Sequence, residues 1–337
     1  MASFTTGCLS DEKNTNVTDE IILIDKQTEN IEIQTNVQEN IEQSVNEEKE
    51  TPLASTTDIS DNGENNRGNQ APAPEPKMNL TEKLRIGSFN IQVFGVSKAD
   101  KPEVMAVLAD ITRTYDIMAI QEIRDKSQTA LPELVELVNS DGSNYEFVVS
   151  ERMGRTTSKE QYAYVYNTDT ILITSEALSY PEPEGTDPFH RQPYIASFRA
   201  VNGNYDAVLI VVHTDPDEAT EEINALDEAL AHAQNVYPEE QDFIILGDFN
   251  ADGSYFNEDS TSDLDDYYWV IDDTQDTTTK ATDYTYDRII LTDDSDFTGE
   301  FGVFRYDLEY NLTYDETVAV SDHYPVYAEF IAVNDRD

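Results

Sequence analysis

Polar clusters that adjoin short apolar runs most constrain how this chain folds. Three lie in its C-terminal part: Gly247-Asp248-Phe249-Asn250 after Phe243–Leu246, Tyr286-Asp287-Arg288 before Ile289–Leu291, and Ser321-Asp322-His323 after Val318–Val320. Such runs predict buried strands, and a rigid sheet holds the side chains at strand ends at fixed distances. Carboxylates, an amide and an imidazole brought together in this way predict a hard-metal site with a titratable base beside it. Such a site is suited to cleaving phosphate esters.

The chain is strongly acidic throughout. Its formal net charge is −48, with 16 acidic and 5 basic residues in 1–80 and 53 acidic and 16 basic residues in 81–337. A polyanionic substrate would be repelled by this surface, so the charge needs an explanation. One explanation is adaptation to high salt, where the Debye length is roughly 3 Å at 1 M and repulsion fades. The other is an acidic back face combined with a locally basic cleft.

Residues 1–80 are predicted to be a disordered acidic tether. They are rich in Asn, Gln, Glu and Thr and end in the proline-rich stretch 71–76, so they cannot bury enough apolar surface to offset chain entropy. The one cysteine, Cys8, has no intramolecular disulfide partner. Its context, Thr6-Gly7-Cys8, resembles a bacterial lipoprotein processing site and implies a secreted or cell-surface lipoprotein; the alternative is a cysteine without a role. No run of about 20 apolar residues predicts a membrane span.

Residues 81–334 are predicted to form one domain. Short apolar stretches such as 84–91, 206–212 and 243–246 indicate strands, and the spacing of apolar residues in 101–115 and 218–235 indicates helices. Several neighbouring strands are expected to pair antiparallel. The pattern predicts an α+β fold, a four-layer α/β sandwich in which two packed, mostly antiparallel β-sheets are flanked by helices.

Several short motifs follow one another along this domain from about Leu84 to Ile331. They are Phe89-Asn90-Ile91, Gln121-Glu122-Ile123-Arg124-Asp125, Met153-Gly154-Arg155, Lys159-Glu160, Arg191-Gln192-Pro193, Val212-His213, Gly247-Asp248-Phe249-Asn250-Ala251-Asp252, Tyr286-Asp287-Arg288-Ile289 and Ser321-Asp322-His323. Each motif alone is weak, but their order and their positions at strand ends are specific. Together they resemble the endonuclease/exonuclease/phosphatase superfamily, and within it the deoxyribonuclease I branch.

The resemblance implies a catalytic metal site. Mg²⁺ or Mn²⁺ would be held by Glu122, Asp322, Asn90 and Asp248, which offer the oxygen ligands that hard cations prefer. Asn250 would donate a hydrogen bond to a phosphate oxygen. The metal charge would stabilise the pentavalent phosphate of the transition state.

The four histidines divide into two groups. The resemblance pairs His213 with Glu160 and His323 with Asp287. Each carboxylate would fix the tautomer of its imidazole and raise its pKa. One imidazole would activate water and the other would protonate the leaving 3′ oxygen, and the sequence leaves open which does which. His190 is expected in a loop without a special role, and His232 on the surface of a helix.

DNA contacts are where the chain departs from the family pattern. The resemblance implies that Arg124 enters the minor groove, that Arg191 holds the scissile phosphate and that Arg155 also binds DNA; an ordinary surface charge is the alternative for Arg124. The family arginine after Phe-Asn-Ile is Gln92 here, and a groove-stacking tyrosine is Ser158. These losses are expected to weaken binding to duplex DNA. Double-stranded DNA is the expected partner, but strand preference stays open.

The resemblance also implies structural Ca²⁺ in two loops. The expected ligands are Asp276, Thr278 and Thr282 in one loop and Asp187 in the other. Lys280 occupies a family threonine position and weakens the match, so an ordinary solvated turn is the alternative. The cysteine pairs that brace these loops in vertebrate relatives are absent, and Gly253 and Tyr284 stand at the positions of one pair.

These inferences favour a metal-dependent, largely non-specific endonuclease that hydrolyses DNA phosphodiesters to 5′-phosphate ends, tolerates salt and needs no obligate protein partner. The alternative is a phosphoesterase of the same superfamily that acts on sphingomyelin or inositol phosphates. Arg124 and Arg191, with the lack of an apolar membrane-docking hairpin, favour the nuclease. A catalytically inactive binding module is disfavoured by the complete set of acids, amide and histidines.

Overall fold

Two β-sheets pack face to face, and helices cover both outer faces. The structure is a computed structural model that describes residues 83–256, 264–333 and 335. The tether predicted for residues 1–80, with Cys8, lies outside these residues. The predicted four-layer sandwich is confirmed.

The described residues form thirteen strands and seven α-helices, including short elements that the apolar pattern does not predict. The strands are β1 (Lys83–Phe94), β2 (Ile117–Ile123), β3 (Tyr145–Val149), β4 (Gln161–Asn167), β5 (Ile171–Ile173), β6 (Leu178–Ser179), β7 (Tyr194–Ala200), β8 (Asp206–His213), β9 (Phe243–Asp248), β10 (Tyr268–Trp269), β11 (Asp287–Leu291), β12 (Phe297–Val303) and β13 (Val326–Ile331). The helices are α1 (Val96–Ala99), α2 (Pro102–Thr112), α3 (Ala130–Val138), α4 (Ala219–Asn224), α5 (Leu226–Val236), α6 (Tyr306–Glu309) and α7 (Tyr314–Val320), with a 3₁₀ turn at Asn139–Asp141.

One parallel pair of strands lies at the centre of each sheet. The first sheet has the order β12-β13-β1-β2-β4-β3, and the second has the order β10-β11-β9-β8-β7-β5 with β6 also paired to β7. Only β1/β2 and β8/β9 are parallel among the described pairs. Because parallel strands end at the same edge, β1 and β2 bring Asn90 and Glu122 together, and β8 and β9 place His213 opposite Asp248.

The alternation of side chains along β1 shows where the core ends and the site begins. Leu84 and Ile86 pack between the sheets, whereas Phe89 and Ile91 pack against the helices. Asn90 continues the inward-facing row of Leu84 and Ile86, because successive strand residues point to opposite faces. The intersheet layer therefore changes from apolar to polar along one face of one strand.

Two predicted elements differ from the structure. The stretch 218–235 forms two helices, α4 and α5, joined at Ala225. The prediction that Val318–Val320 is a strand is wrong, because these residues end helix α7. The side chains of Thr313 and Glu316 form a capping box at the start of α7, which favours a helix over an extended run. Asp322 and His323 therefore follow a helix.

No helix in the described ranges combines the length and the apolar character that a membrane crossing requires.

Gly247 is predicted to be essential for joining β8 to β9. Its φ is +149°, and a Cβ atom there would lie 1.9 Å from the carbonyl oxygen of Val212. Rotation of a side chain cannot relieve a clash between the Cβ atom and this backbone oxygen. Gly247→Ala should therefore lower the free energy of unfolding by about 3 kcal/mol. Chemical denaturation measures this loss. Gly95→Ala is the matched control, because a Cβ there would meet nothing closer than 3.6 Å. Equal stability of the two variants would contradict the prediction.

Candidate active site

A cleft of about 470 Å³ opens at the edge where the two parallel strand pairs end. It brings together most of the predicted catalytic and metal-binding residues. Its lining contains Glu122, Arg124, Glu160, Arg191, His213, Asp248, Asn250, Asp322 and His323. Asp287 and Asn90 lie directly behind it and touch this set through His323 and Asp248.

His213 is held between two carboxylates. Its Nδ1 lies 2.9 Å from Oε2 of Glu160, and its Nε2 lies 3.5 Å from Oδ2 of Asp248. Burial alone would raise the pKa of Glu160, but the charge and hydrogen bond of His213 outweigh it, and the pKa falls to about 2. Glu160 is therefore a carboxylate at neutral pH and accepts the Nδ1 proton, which leaves Nε2 facing the cleft.

Two arginines also bind Glu160. A terminal nitrogen of Arg124 lies 2.8 Å from Oε1 of Glu160 and 3.0 Å from Oε2 of Glu122. Arg191 donates to two main-chain carbonyl groups at the end of β8, each at 3.0 Å, and a terminal nitrogen lies 3.6 Å from Glu160. Arg124 is thus part of the cleft, and the alternative of an unattached surface charge does not hold.

His323 has the same arrangement on the opposite side. Its Nδ1 lies 2.8 Å from Oδ2 of the fully buried Asp287, and its Nε2 lies 3.6 Å from Oδ2 of Asp248. Burial would lower the pKa of His323, but the charges of Asp287, Asp248 and Asp322 raise it to about 10. Both imidazoles therefore turn Nε2 toward the same oxygen atom of Asp248.

The donor set fits a divalent cation. One ligand atom each from Asp248, Asp287 and His323 lie within 4.8 Å of one another, a group that shares only Asp248 with the predicted metal ligands Glu122, Asp322, Asn90 and Asp248. The side-chain amide of Asn90 donates to Asp248 at 2.8 Å and to Glu122 at 3.3 Å, so it links two carboxylates that would otherwise repel each other. Crowded carboxylates with one amide between them are the oxygen ligands that hard divalent cations prefer.

Backbone strain is concentrated at this site. Six non-glycine residues in the described ranges have positive φ, and four of them lie at this edge: Gln92, Val93, Glu122 and Asn250. Such conformations are costly and are held by their surroundings. The amide N–H of Val93 donates to Glu122 at 2.8 Å, and that of Asn250 donates to Asp248 at 3.0 Å. Carboxylates of the site thus hold Val93 and Asn250, while the amide N–H of Gln92 donates to Oδ1 of Asn90 at 2.9 Å.

Comparisons with known proteins decide the family. Residues 87–323 match the model of the endonuclease/exonuclease/phosphatase family. The chain belongs to this family. The chain is 34% identical over 263 residues to deoxyribonuclease-1 of Oryctolagus cuniculus, covering 74% of this chain and 93% of that protein. It is 33% identical over 261 residues to deoxyribonuclease gamma of Mus musculus, covering 73% and 84%. The predicted resemblance to deoxyribonuclease I and the assignment as a hydrolase are confirmed.

Solved structures show the same family fold. A family protein from Bacteroides thetaiotaomicron has a TM-score of 0.51 at 17% identity and covers 74% of this chain and 97% of that one. Another from Bacteroides vulgatus has a TM-score of 0.53 at 13% identity and covers 73% and 98%. At these identities the likeness concerns the fold alone.

The remaining predicted residues have partners within the chain. Asn250 donates its side-chain N–H to the carbonyl group of Thr214 at 3.1 Å. Arg155, predicted to bind DNA, is paired with Asp187, predicted to bind Ca²⁺, at 2.9 Å, and its guanidinium also binds Glu218. In this structure Arg155 and Asp187 therefore neutralise each other.

The first predicted calcium loop is closed by its own hydrogen bonds. Thr278 donates through its amide and its hydroxyl to Oδ1 of Asp276 at 3.0 and 2.9 Å, and the hydroxyl lies 2.7 Å from the carbonyl oxygen of Thr282. At the positions of the missing cysteine pair, the ring of Tyr284 packs against Gly253, where a Cβ would lie 2.8 Å from it. A glycine–aromatic contact therefore occupies the place of the bridge that the resemblance implies.

Sequence reasoning missed several residues of the cleft. His190 lies in a loop as expected, but it is buried, lines the cleft and has Nδ1 3.2 Å from Asp215. Lys280, treated only as a mismatch in the calcium loop, has its ammonium 2.9 Å from Asp322. Because these partners come from distant parts of the chain, no local motif indicates them. His232 lies half-buried on α5, 5.6 Å from the ring of Tyr180.

Glu222 supports the loop beside the cleft and yields a pH-dependent prediction. Its buried carboxylate accepts the amide N–H of Asp215 at 3.0 Å, and burial raises its pKa to about 7. The folded state therefore binds the proton of the Glu222 carboxyl group more tightly than the unfolded state does. The stability that this proton contributes is complete below about pH 4 and is lost as the pH rises to about 7.

Glu222→Gln should remove the loss of stability between about pH 4 and pH 7, because the amide side chain does not titrate. Above pH 7 the variant should be more stable than the natural protein by on the order of 2 kcal/mol, and at pH 4 the difference should vanish. Melting temperatures measured from pH 4 to 9 test this. Glu221→Gln changes the exposed neighbouring glutamate and should show no such pH dependence. A Glu222→Gln curve parallel to that of the natural protein would refute the prediction.

Proposed function

We propose that this protein is a divalent-metal-dependent endonuclease that hydrolyses DNA phosphodiesters with little sequence preference and leaves 5′-phosphate ends. The observation that carries the proposal is the convergence of two carboxylate-backed imidazoles. Nε2 of His213 and Nε2 of His323 lie 3.5 and 3.6 Å from the same oxygen of Asp248. A phosphodiester between them would have a proton acceptor on one side and a proton donor on the other. The rabbit and mouse relatives of this chain are deoxyribonucleases.

The two imidazoles divide the proton transfers of hydrolysis. Glu160 and Asp287 accept the Nδ1 protons, so each Nε2 is free to exchange a proton with substrate or water. One takes a proton from the attacking water, while the other gives a proton to the leaving 3′ oxygen. The phosphate then stays on the 5′ end of the downstream fragment.

The phosphate is held by the surrounding polar groups. Glu122, Asp248, Asn90 and Asp322 are proposed to hold Mg²⁺ or Mn²⁺, which when bound would neutralise charge on the phosphate. Asn250 lies beside Asp248 and can turn its amide N–H from Thr214 to a phosphate oxygen.

The protein is further proposed to act outside the cell, secreted or anchored through a lipid on Cys8. The support is the sequence Thr6-Gly7-Cys8 and the acidic tether that continues from it.

Conversion of supercoiled plasmid to nicked circles tests the activity. With Mg²⁺ or Mn²⁺ the protein should nick the plasmid, and EDTA should stop the reaction until metal is restored. Release of phosphocholine from sphingomyelin under the same conditions tests the other phosphoesterase class. Intact plasmid together with cleaved sphingomyelin would overturn the proposal.

Replacement of either converging histidine should abolish nicking. His213→Ala and His323→Ala should each lower kcat by about a thousandfold or more, since general acid–base catalysis contributes about 10²–10⁴. His232→Ala is the matched control, because this histidine lies on helix α5 outside the cleft. Circular dichroism should show all three variants folded. A near-natural rate for either cleft variant would remove that residue from the acid–base pair.

Nicking should rise or stay constant up to molar salt. The described lining of the cleft holds five acidic side chains, Glu122, Glu160, Asp215, Asp248 and Asp322, against four cations, Arg124, Arg191, Lys280 and the protonated His323. The cleft is therefore not locally basic, and long-range repulsion of DNA should dominate at low ionic strength. Salt screens this repulsion, while short contacts in the sheltered cleft suffer less. Rates from about 0.05 to 2 M NaCl test this. A monotonic fall of about a hundredfold would contradict it.

Ca²⁺ should raise the melting temperature through the loop that begins at Asp276, because a ligand that binds only the folded state stabilises it. Asp276→Ala should abolish the shift. Asp293→Ala is the control, since this residue also accepts the amide N–H of the residue two positions on, at Ser295, in a different turn. A full Ca²⁺ shift in the Asp276 variant would exclude this loop as the site.

A further inference from the structure

Three tyrosine rings form a continuous surface on one side of the cleft, here called the tyrosine wall: Tyr255, Tyr284 and Tyr286. The rings of Tyr284 and Tyr286 are stacked, with centroids 5.2 Å apart and an angle of 15° between planes. The ring of Tyr255 lies 5.6 Å from that of Tyr286. All three line the cleft, and Tyr255 is the most accessible, with 39% of its surface exposed.

The tyrosine wall adjoins the catalytic centre. The ring of Tyr286 lies 6.2 Å from the imidazole of His323. The rest of the described lining includes small or polar residues such as Thr156, Ser158 and Pro216, and it holds no other tyrosine, phenylalanine or tryptophan. The aromatic surface is therefore confined to one group of neighbouring rings, close to the position proposed for the scissile phosphate.

Lys280 lies beside the same wall. Its ammonium is 2.9 Å from Asp322. Lys280 and Tyr255 both line the cleft. The side chain of Lys280 is 58% exposed, against 32% for Arg124 and 7% for Arg191. Of the lysine and arginine side chains in the described lining, Lys280 is the most exposed.

We propose that the tyrosine wall and Lys280 bind one unpaired nucleotide beside the scissile phosphate, so that the enzyme favours single-stranded over duplex DNA. The base stacks on Tyr255 and the adjoining phosphate contacts Lys280. A base inside a duplex is already covered on both faces by its neighbours, whereas an unpaired base gains from stacking on an aromatic ring. This inference rests on the proposed nuclease activity and names its substrate.

Steady-state cleavage of one oligonucleotide, as a single strand and as a duplex, tests the stacking. The natural protein should show the lower KM for the single strand. Tyr255→Leu should raise that KM about tenfold with little change in kcat, and Tyr255→Phe should rescue it because the ring is retained. Tyr268→Leu is the control, since Tyr268 is a comparably exposed tyrosine outside the cleft lining.

An oligonucleotide with a single abasic position separates stacking from a structural role. When the base beside the cut is absent, Tyr255→Leu should no longer raise the KM. An equal increase for the abasic and the complete strand would mean that the ring does not stack on a base, and would overturn the inference.

Lys280→Met tests the phosphate contact. The slope of log KM against log salt concentration for the single strand should change by about 0.7, the value for one phosphate contact on a single strand. Isothermal titration of Mn²⁺ into this variant without DNA gives a second readout, because loss of the ammonium beside Asp322 should strengthen Mn²⁺ binding. An unchanged slope would exclude Lys280 as a phosphate contact.

Failure of this inference is distinguishable from failure of the proposed function. If the natural protein cleaves no DNA, the nuclease proposal is wrong. If it cleaves DNA with equal KM for both forms and Tyr255→Leu has no effect, the nuclease proposal stands and the nucleotide subsite does not exist.

Discussion

One oxygen atom of Asp248 is the point on which the site depends. It accepts the amide N–H of Asn90 at 2.8 Å from the other sheet, and Nε2 of both His213 and His323 lies within 3.6 Å of it. Its position follows from the parallel pairing of β8 with β9, which Gly247 permits by bringing the two backbones together without a Cβ. The two sheets are thus joined at the place where the chemistry is proposed to occur.

Local features of the sequence are sufficient to predict most of the fold. Apolar alternation predicts β1, whereas unbroken apolar runs predict β8 and β9, because strands buried on both faces are apolar throughout. The end of helix α7 is wrongly predicted as a strand when its three apolar residues are considered without the capping box that precedes them at Thr313. The error leaves Asp322 and His323 in the correct cleft, because a residue that comes after a helix can reach the same edge of the sheet as one that comes after a strand.

Partners across the cleft could be predicted only in part. The pairs of His213 with Glu160 and of His323 with Asp287 came from the family resemblance and have the geometry expected for it. The links of His190 to Asp215 and of Lys280 to Asp322 were not predicted, since each joins residues far apart in the sequence and neither belongs to a family motif. Such contacts depend on how loops are placed, and hydrophobic periodicity carries no information about them.

The contact between Gly253 and Tyr284 has a consequence for where the enzyme can work. The chain has one cysteine, so the packing of an aromatic ring on a glycine does without covalent bonds what a cystine bridge would do. The loop beside the cleft therefore folds without an oxidant and is indifferent to thiol reductants. No cysteine lies among the described residues, so the shape of the cleft does not depend on redox potential.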